Sequence, residues 1–284
     1  MGQTADILPK SRKVYKFFFR SKKFNQLIKV PLTALVNGYA RFRKFQFPTK
    51  FTWDWKLEML TGQYEKATVR EFKRLLKPGM TAVDIGAHVG YFTVLSSKLV
   101  GRTGKVIAFE PDPANYNLLR SNTSRFPNTE AHNLAISDRT GRLDFFKTID
   151  KTGSHSLIAS SLRPDKISVA AVTLADFFAQ HPVARIDLIK MDIEGAEPLA
   201  LSGMWQILKK HQDVKLIMEF STENLKDGGF SPVAVLRSLA DAGFDYQSIE
   251  PDGLRPVDEA YIEVIDKKRN HYVNLLIYNS KNNA

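Results

Sequence analysis

Acidic side chains at the ends of apolar segments are the residues of this sequence best suited to chemistry. Asp192, Glu194 and Glu197 lie at and just beyond the end of a largely apolar segment, residues 186–193. Such a segment predicts a buried strand of a parallel sheet. The carboxyl end of such a strand is where an open α/β sheet places its active site, so these carboxylates are candidates for general-base chemistry.

Two more acids lie upstream, around a glycine loop. Asp84 precedes the loop that Gly86 and Gly90 bracket, and Glu110 follows the next apolar run of the segment 81–110. Between the loop and that run, apolar side chains recur at helical spacing. The segment therefore predicts one β-α-β unit, and the carboxyl edge of its strands is expected to bind a nucleotide-like ligand.

The spacing of the loop narrows the class of ligand. A dinucleotide fingerprint has glycine at the middle position of G-x-G-x-x-G, where this chain has His88. A side chain there argues against the close approach of a diphosphate. Asp84 suits an ammonium group, and Glu110 suits two ribose hydroxyls. An adenosine with a cationic amino-acid tail satisfies both acids, so we predict S-adenosylmethionine as the cofactor.

Five motifs carry a resemblance to a known family. In chain order they are V-D-I-G-A-H-V-G-Y-F-T, V-I-A-F-E-P-D-P-A-N-Y-N-L-L, N-L-A-I-S-D, L-I-K-M-D-I-E-G-A-E and L-I-M-E-F. Together they resemble the FkbM-type family of S-adenosylmethionine-dependent methyltransferases, over about residues 57–280. His88 departs from the asparagine that this family usually has in the glycine loop.

The resemblance implies both a fold and a reaction. The fold is a doubly wound, Rossmann-like α/β sheet of seven strands in the order 3-2-1-4-5-7-6, with the last strand antiparallel. The reaction is methylation of a hydroxyl oxygen on a sugar, a glycan or another small or lipid-linked metabolite. We expect residues 1–50 to form a basic, aromatic-rich helical extension and residues 51–284 to form the methyltransferase domain.

The predicted cofactor contacts are spread over several segments of the chain. They are Tyr64, Glu65, Asp84, Gly86, His88, Gly90, Glu110, Asp112, Asn133, Ala135 and Asp192. Tyr64 and Glu65 match a segment that closes over the cofactor in the family, and Asn133 to Ala135 matches its adenine-side segment. Structural alternatives stay open: Glu65 and Asp112 could each stabilise a helix start instead.

The candidate catalytic residues are ranked by their place in the predicted sheet. Asp192 is the first candidate for the base, followed by Glu194 and Glu197, with His155 at the tip of a hairpin predicted over 143–146 and 167–174. Glu197 could instead be an exposed helix-start residue, and His155 an exposed loop histidine.

A metal site is the alternative use of these acids. Asp192, Glu194 and Glu219 could gather around Mg²⁺, which prefers carboxylates and water. We predict no metal, because base and cofactor roles are open to the same carboxylates.

Composition excludes some classes of site. The 284 residues include no cysteine, which rules out thiolate metal sites and cysteine nucleophiles. Twelve of the 41 Lys and Arg residues but only one of the 30 acids lie in residues 1–50, so the net charge of +11 belongs to that segment. Nucleic acid is therefore not expected as a partner of the catalytic portion.

The basic segment also has an apolar pattern. Apolar residues recur at near-helical intervals over 13–45, and Pro31 predicts a division into two helices. The stripe could pack on the catalytic domain or lie on an anionic membrane surface. No run approaches the length of a membrane span. We expect a cytoplasmic protein, with peripheral contact at the inner face of the membrane as the alternative.

Two other functions remain to be weighed. A nicotinamide-dependent oxidoreductase of the same fold class is the second enzyme hypothesis, and His88 argues against it. A non-catalytic docking module is the third hypothesis, and the presence of Asp84 and Glu110 argues against it.

Overall fold

The protein is built around a mixed, mostly parallel sheet flanked by helices. The computed structural model describes residues 22–148, 153–267 and 272–283. In chain order the strands of this part are β1 (Thr81–Ile85), β2 (Lys105–Phe109), β3 (Thr129–His132), β4 (Ala135–Ile136), β5 (Gly141–Lys147), β6 (Asp165–Val172), β7 (Leu188–Met191), β8 (Lys215–Phe220), β9 (Phe244–Glu250), β10 (Gly253–Pro256) and β11 (Val273–Asn279).

Helices precede the sheet and connect its strands. They are α1 (Lys22–Phe42), α2 (Trp53–Thr61), α3 (Lys66–Leu75), α4 (Tyr91–Val100), α5 (Pro113–Thr123), α6 (Leu174–Gln180), α7 (Glu197–Ser202), α8 (Trp205–Lys210), α9 (Thr222–Asp227), α10 (Pro232–Asp241) and α11 (Glu259–Asp266), followed by a 3₁₀ turn, Ser280–Asn283.

The strand order confirms the predicted α/β class. The main sheet runs β10-β9-β11-β8-β7-β1-β2-β3, and β11 is antiparallel to both of its neighbours. Without the edge strand β10, this is the expected order 3-2-1-4-5-7-6. The strand β10 is an addition to the seven, and it forms a hairpin with β9.

The register of β1 and β7 brings distant acids together. Asp84 lies opposite Lys190, and the backbone N–H of Asp192 donates to the carbonyl of Ile85 at 3.0 Å. Gly86 has φ +79°, and a Cβ at this position would lie 1.9 Å from the Asp192 carbonyl oxygen. Only glycine allows the ends of these two strands to approach so closely.

The sequence predicts a single strand over 131–136, and this prediction is wrong. The strand β3 ends at His132, and β4 joins a second sheet of order β4-β6-β5, which contains the expected hairpin. The chain turns at Asn133 because its side-chain amide donates to the carbonyls of Glu110 and Pro111, at 2.8 and 2.9 Å. These bonds compete with continuation of the strand.

Three helix predictions are also wrong. The sequence predicts one helix over 199–208, but the structure has two, because Gly203 between them lies against a backbone carbonyl, where a Cβ would be 2.1 Å from Ser137 O. The sequence also predicts a loop over 48–56, but this segment contains the start of α2. Pro31 does not divide α1. Pro31 is exposed, so water can satisfy the carbonyl that lacks its N–H donor.

The helix α1 shares a hydrophobic cluster with the glycine loop. Val36 and Ala40 of α1 are buried together with Leu60, Val89 and Val94. Val89 belongs to the loop between Gly86 and Gly90, so the extension packs behind the loop. Residues 13–21 of the predicted amphipathic segment lie outside the described residues.

Gly86→Ala tests the close approach of β1 and β7. A methyl group at a positive φ and in contact with a backbone carbonyl should lower the free energy of unfolding by about 2–5 kcal/mol. The matched control is Gly38→Ala in α1, where the methyl group would meet open space. That change should stabilise by about 0.5–1 kcal/mol. Urea unfolding measures both, and equal stabilities would contradict the packing described here.

Candidate active site

A cleft lies at the carboxyl edge of the main sheet. Its empty volume is about 500 Å³. The glycine loop, the end of β2, the strand β4, the hairpin and the segment after β7 surround it. Among the predicted site residues, its lining includes Gly86, His88, Glu110, Ala135, His155 and Asp192. Sequence reasoning therefore identified residues from five segments that the fold gathers around one cavity.

Glu110 organises the floor of the cleft. Its two carboxylate oxygens accept backbone N–H groups of His88, at 2.8 Å, and of Asp112, at 2.9 Å. Burial raises the pKa of Glu110 to about 8. Each oxygen has a second lone pair, so contact with ribose hydroxyls is compatible with this geometry. That contact stays a prediction.

Asp112 acts as the cap of α5. One oxygen accepts from the backbone N–H of Ala114 and of Asn115, both at 2.9 Å, and the other forms an ion pair with Lys147 at 2.6 Å. Although burial opposes the effect, the hydrogen bond and charge of Lys147 lower the pKa of Asp112. The capping alternative thus accounts for the contacts of this residue.

A second group of charges lies behind Asp192, around a buried ammonium. Lys190 Nζ contacts Asp192 Oδ2 at 2.8 Å and lies 4.8 Å from the centre of the Phe92 ring. Burial opposes protonation, but the charges of Asp192, Glu65 and Asp84 outweigh it and raise the pKa of Lys190. Sequence reasoning missed Lys190, although a lysine inside an apolar strand beside an acid was the available signal.

Asp84 and Glu65 belong to the same charged group, since their charges act on the Lys190 ammonium. Asp84 is 3% exposed, and its Oδ2 accepts the hydroxyl of Thr93 at 2.5 Å. Its Oδ1 has no hydrogen-bond partner among the described residues. Glu65 accepts the side-chain amide of Asn274 at 3.0 Å. Burial raises the pKa of both acids, and Lys190 opposes the rise.

Tyr64 belongs to an aromatic cluster beside this charged group. Its ring meets the Tyr91 ring edge-on at 5.3 Å and lies 5.9 Å from the Trp55 ring. Glu65 follows with φ +43°, directly before α3. The predicted closing segment is therefore packed between α2 and α4. Its contact with the cofactor stays a prediction.

Two neutral imidazoles lie on the cleft wall. His88 has φ +51°, and its ring lies 5.6 Å from the Phe51 ring. The ring of His155 accepts the backbone N–H of Thr148 at its Nδ1, at 3.1 Å. Burial lowers the pKa of each histidine to about 4. The alternative of an exposed loop histidine is wrong for His155, which is buried.

Glu197 holds the loop after β7. Its two oxygens accept the backbone N–H groups of Ile193, at 3.1 Å, and of Gly195, at 3.0 Å. The side chain is buried, so the alternative of an exposed helix-start residue is wrong. Burial raises the pKa of Glu197 to about 8. These contacts favour a positioning role over direct catalysis.

Three other acids converge at the ends of β7 and β8. One carboxylate oxygen each from Asp192, Glu194 and Glu219 lies within 4.8 Å of the others. Glu194 has φ +55°, and its Oε2 accepts the amide of Asn224 at 2.7 Å. Burial and then the charge of Asp192 raise the pKa of Glu194 to about 7. Burial also raises the pKa of Glu219, as do Asp192 and Glu194.

Arg163 connects the hairpin to this acidic group. Its guanidinium donates to the carbonyl oxygens of Ser154, at 2.8 Å, and of Glu194, at 3.3 Å. The side chain is buried, which is unusual for an arginine. Sequence reasoning did not single out Arg163, because nothing in its local pattern marks it as buried.

Comparison with known proteins identifies the family. A family model described as the methyltransferase FkbM domain matches residues 84–246, which is more than half of the chain. The chain belongs to the FkbM methyltransferase family. The enzyme is therefore an S-adenosylmethionine-dependent methyltransferase, as the motifs predicted. Family membership favours neither the oxidoreductase nor the docking-module alternative.

Three curated relatives are similar over most of their own length. The 2-O-methyltransferase NoeI of Sinorhizobium fredii is 29% identical over 184 residues, 58% of this chain and 73% of NoeI. The 31-O-demethyl-FK506 methyltransferase FkbM of Streptomyces tacrolimicus is 27% identical over 198 residues, 56% of this chain and 75% of the relative. The hexuronic acid methyltransferase AglP of Haloferax volcanii is 24% identical, over 64% of this chain and 72% of AglP.

Solved structures include methyltransferases with low sequence identity to this chain. The precorrin-6y C5,15-methyltransferase of Geobacter metallireducens has a TM-score of 0.47 at 12% identity, covering 84% of this chain and 95% of that one. The TehB-like methyltransferase of Corynebacterium glutamicum has a TM-score of 0.45 at 13% identity, covering 87% of this chain and 98% of that one.

Glu110→Gln tests the floor of the cleft. The amide turns one acceptor oxygen into a donor that faces a backbone N–H, so the glycine loop should lose its shape. We expect affinity for S-adenosylhomocysteine, measured by calorimetry, to fall by about 1.5–3 kcal/mol. Glu130→Gln, on the exposed face of the neighbouring strand β3, is the control and should bind as the wild type does. Unchanged affinity in Glu110→Gln would remove Glu110 from the cofactor site.

Proposed function

We propose that this enzyme transfers a methyl group from S-adenosylmethionine to a hydroxyl oxygen of a sugar, a glycan or a related small metabolite. The observation that carries the proposal is the cleft, with the carboxylate of Asp192 on its wall beside the glycine loop. The printed names of NoeI and FkbM specify O-methylation, and that of AglP specifies a hexuronic acid. These names support oxygen as the acceptor atom and a polyhydroxylated acceptor.

The residues around the cleft fit the proposed cofactor. Glu110 would hold the ribose hydroxyls, and Asn133 would order the adenine side by fixing the turn after β3. The unpartnered Oδ1 of Asp84 is an acceptor near the glycine loop that suits an ammonium group. The bound cofactor supplies an electrophilic methyl group on a sulfonium, which is a good leaving group.

Asp192 is the proposed base for the acceptor hydroxyl. Lys190 fixes one of its oxygens at 2.8 Å and so orients the carboxylate toward the cleft. Positioning of an acceptor oxygen is worth an effective molarity of about 10⁵ M or more, and a placed base about 10²–10⁴-fold in rate. Glu194 is the next candidate for the base, because it lies in the same acidic group.

The hairpin would exclude water from the reacting groups. Gly153 faces the His88 ring, since a Cβ built on it would lie 3.6 Å from the ring carbon Cε1. Arg163 ties the hairpin to the segment of Glu194. His155 completes this wall. Because its imidazole is neutral, it suits a hydrogen bond with an acceptor hydroxyl better than attraction to a charged group.

Asp192→Asn tests the base. The amide keeps the shape and can still accept from Lys190, but it cannot take a proton. We expect kcat for methyl transfer to a glycan acceptor to fall about 10²-fold or more, with affinity for S-adenosylhomocysteine little changed. Glu194→Gln is the comparison, and a larger loss there would assign the base to Glu194. Full activity of both variants would exclude a carboxylate base at this position.

We also propose peripheral contact between α1 and an anionic membrane surface. Val36 and Ala40 face the domain, whereas Val30, Leu35 and Phe42 are 73%, 70% and 80% exposed. The net charge of +11 lies in residues 1–50, the part of the sequence that includes α1. Apolar insertion and attraction to anionic lipid, about 1 kcal/mol for each basic residue near the surface, would act together. Within the described ranges no helix is long and apolar enough to span a bilayer.

The double substitution Leu35→Glu and Phe42→Glu tests this contact without touching the face that packs on the domain. Sedimentation with liposomes that contain anionic lipid should fall strongly, because each change removes apolar area and adds repulsion. Val264→Glu replaces an exposed apolar residue on α11 and serves as the control. If the wild type ignores these liposomes at low salt, or the double variant binds equally, the membrane contact is wrong.

A further inference from the structure

We propose that Asp192, Glu194 and Glu219 form a binding site for one hard divalent cation of the Mg²⁺ or Mn²⁺ class. The site lies at the carboxyl ends of β7 and β8, beside the cleft. The proposal shares Asp192 with the proposed methyl transfer. It can nevertheless be tested with no acceptor and no cofactor present.

The three carboxylates already have the spacing of a coordination sphere. One oxygen from each lies within 4.8 Å of the other two. Two ligands on opposite sides of one ion are separated by twice the metal–oxygen distance, which is about 4.1 Å for Mg²⁺ and about 4.8 Å for Ca²⁺. A hard cation therefore needs only small side-chain movements to contact all three.

The burial of Glu219 is a second observation, independent of the spacing, that points to a ligand at this site. Its side chain is 8% exposed, yet no hydrogen bond or ion pair joins it to any residue that the structure describes. Buried carboxylates are normally paired, hydrogen-bonded or bound to a metal, because an isolated buried charge is very costly. One of its oxygens lies within 4.8 Å of an oxygen of Asp192 and of Glu194, and an ionised carboxylate cannot donate a hydrogen bond to it.

The other two ligands are held in place by one oxygen each. Lys190 contacts Asp192 Oδ2 at 2.8 Å, and Asn224 donates to Glu194 Oε2 at 2.7 Å. These contacts orient each carboxylate and leave a second oxygen for an ion, as the outer contacts of metal ligands commonly do.

The basic groups near the site within the described ranges do not neutralise it. Lys190 is already shared among Asp192, Glu65 and Asp84. Arg163 lies 4.0 Å from Glu194 Oε2, but its N–H groups donate to backbone carbonyls. Among the residues that the structure describes, Glu219 therefore has no counter-charge, and a divalent cation would supply one. Three protein oxygens would leave other positions of the ion for water or for hydroxyls of the acceptor.

Binding of Mn²⁺ to the ligand-free full-length protein tests the site directly. The electron paramagnetic resonance signal of free Mn²⁺ should fall with about one ion bound per chain, and Mg²⁺ should compete. Glu219→Gln should weaken Mn²⁺ binding at least tenfold. Glu130→Gln, an exposed acid on β3, should bind as the wild type does. No binding at millimolar Mn²⁺, or equal binding by Glu219→Gln, would overturn the proposal.

Thermal unfolding keeps the test independent of folding defects. In chelator, Glu219→Gln should melt at or above the wild-type temperature, since the change removes a buried ionisable group that has no partner among the described residues. Added Mn²⁺ should raise the melting temperature of the wild type and not that of the variant. An equal rise in both would contradict the proposed site.

The two proposals can fail separately. Methyl transfer to a glycan acceptor by a protein that binds no Mn²⁺ in the ligand-free titration would reject the cation and retain the reaction. Mn²⁺ binding without transfer to any hydroxyl acceptor would retain the cation and reject the reaction.

Discussion

The buried ammonium of Lys190 is the interaction on which the active-site edge depends. It lies on β7 between carboxylates from three elements: Asp84 on β1, Asp192 after β7, and Glu65 before α3. Without a shared cation, three acids in one region, of which Asp84 is buried, would repel one another.

Several acids around the cleft accept hydrogen bonds from the backbone, whatever further contact they make with a ligand. Glu110, Asp112 and Glu197 each accept two backbone N–H groups from the loops that border the cleft. Loops at the carboxyl edge of a parallel sheet expose many N–H groups, and carboxylates satisfy them with strong hydrogen bonds. An acid that the sequence suggests as catalytic can therefore have a structural role instead, which is to hold a loop in place. Asp192, Glu194 and Glu219 are the acids whose oxygens this scaffold does not fully use.

The helix α1 has one face packed on the domain and another exposed to solvent. One face shares its core with the glycine loop through Val89, and the opposite face presents large apolar side chains to solvent. A membrane surface in contact with α1 would thus lie behind the loop that shapes the cleft. Such a contact would bring the domain close to a lipid-linked acceptor, which is one of the acceptor classes that the family resemblance implies.

Apart from the strand order, which the family resemblance implied, the sequence by itself determined the β-α-β unit and the placement of Asp84, Glu110 and Asp192 at strand ends. These follow from local signals, namely apolar runs, helical spacing and glycines, which act over a few residues. Tertiary structure alone decided which acids bind backbone, which share Lys190, and that Glu219 has no partner among the described residues. The tertiary structure also decided the burial of His155 and the position of β4 in a second sheet. Each of them depends on groups far apart in the chain that meet only when the sheet assembles, and desolvation at that meeting sets their charge.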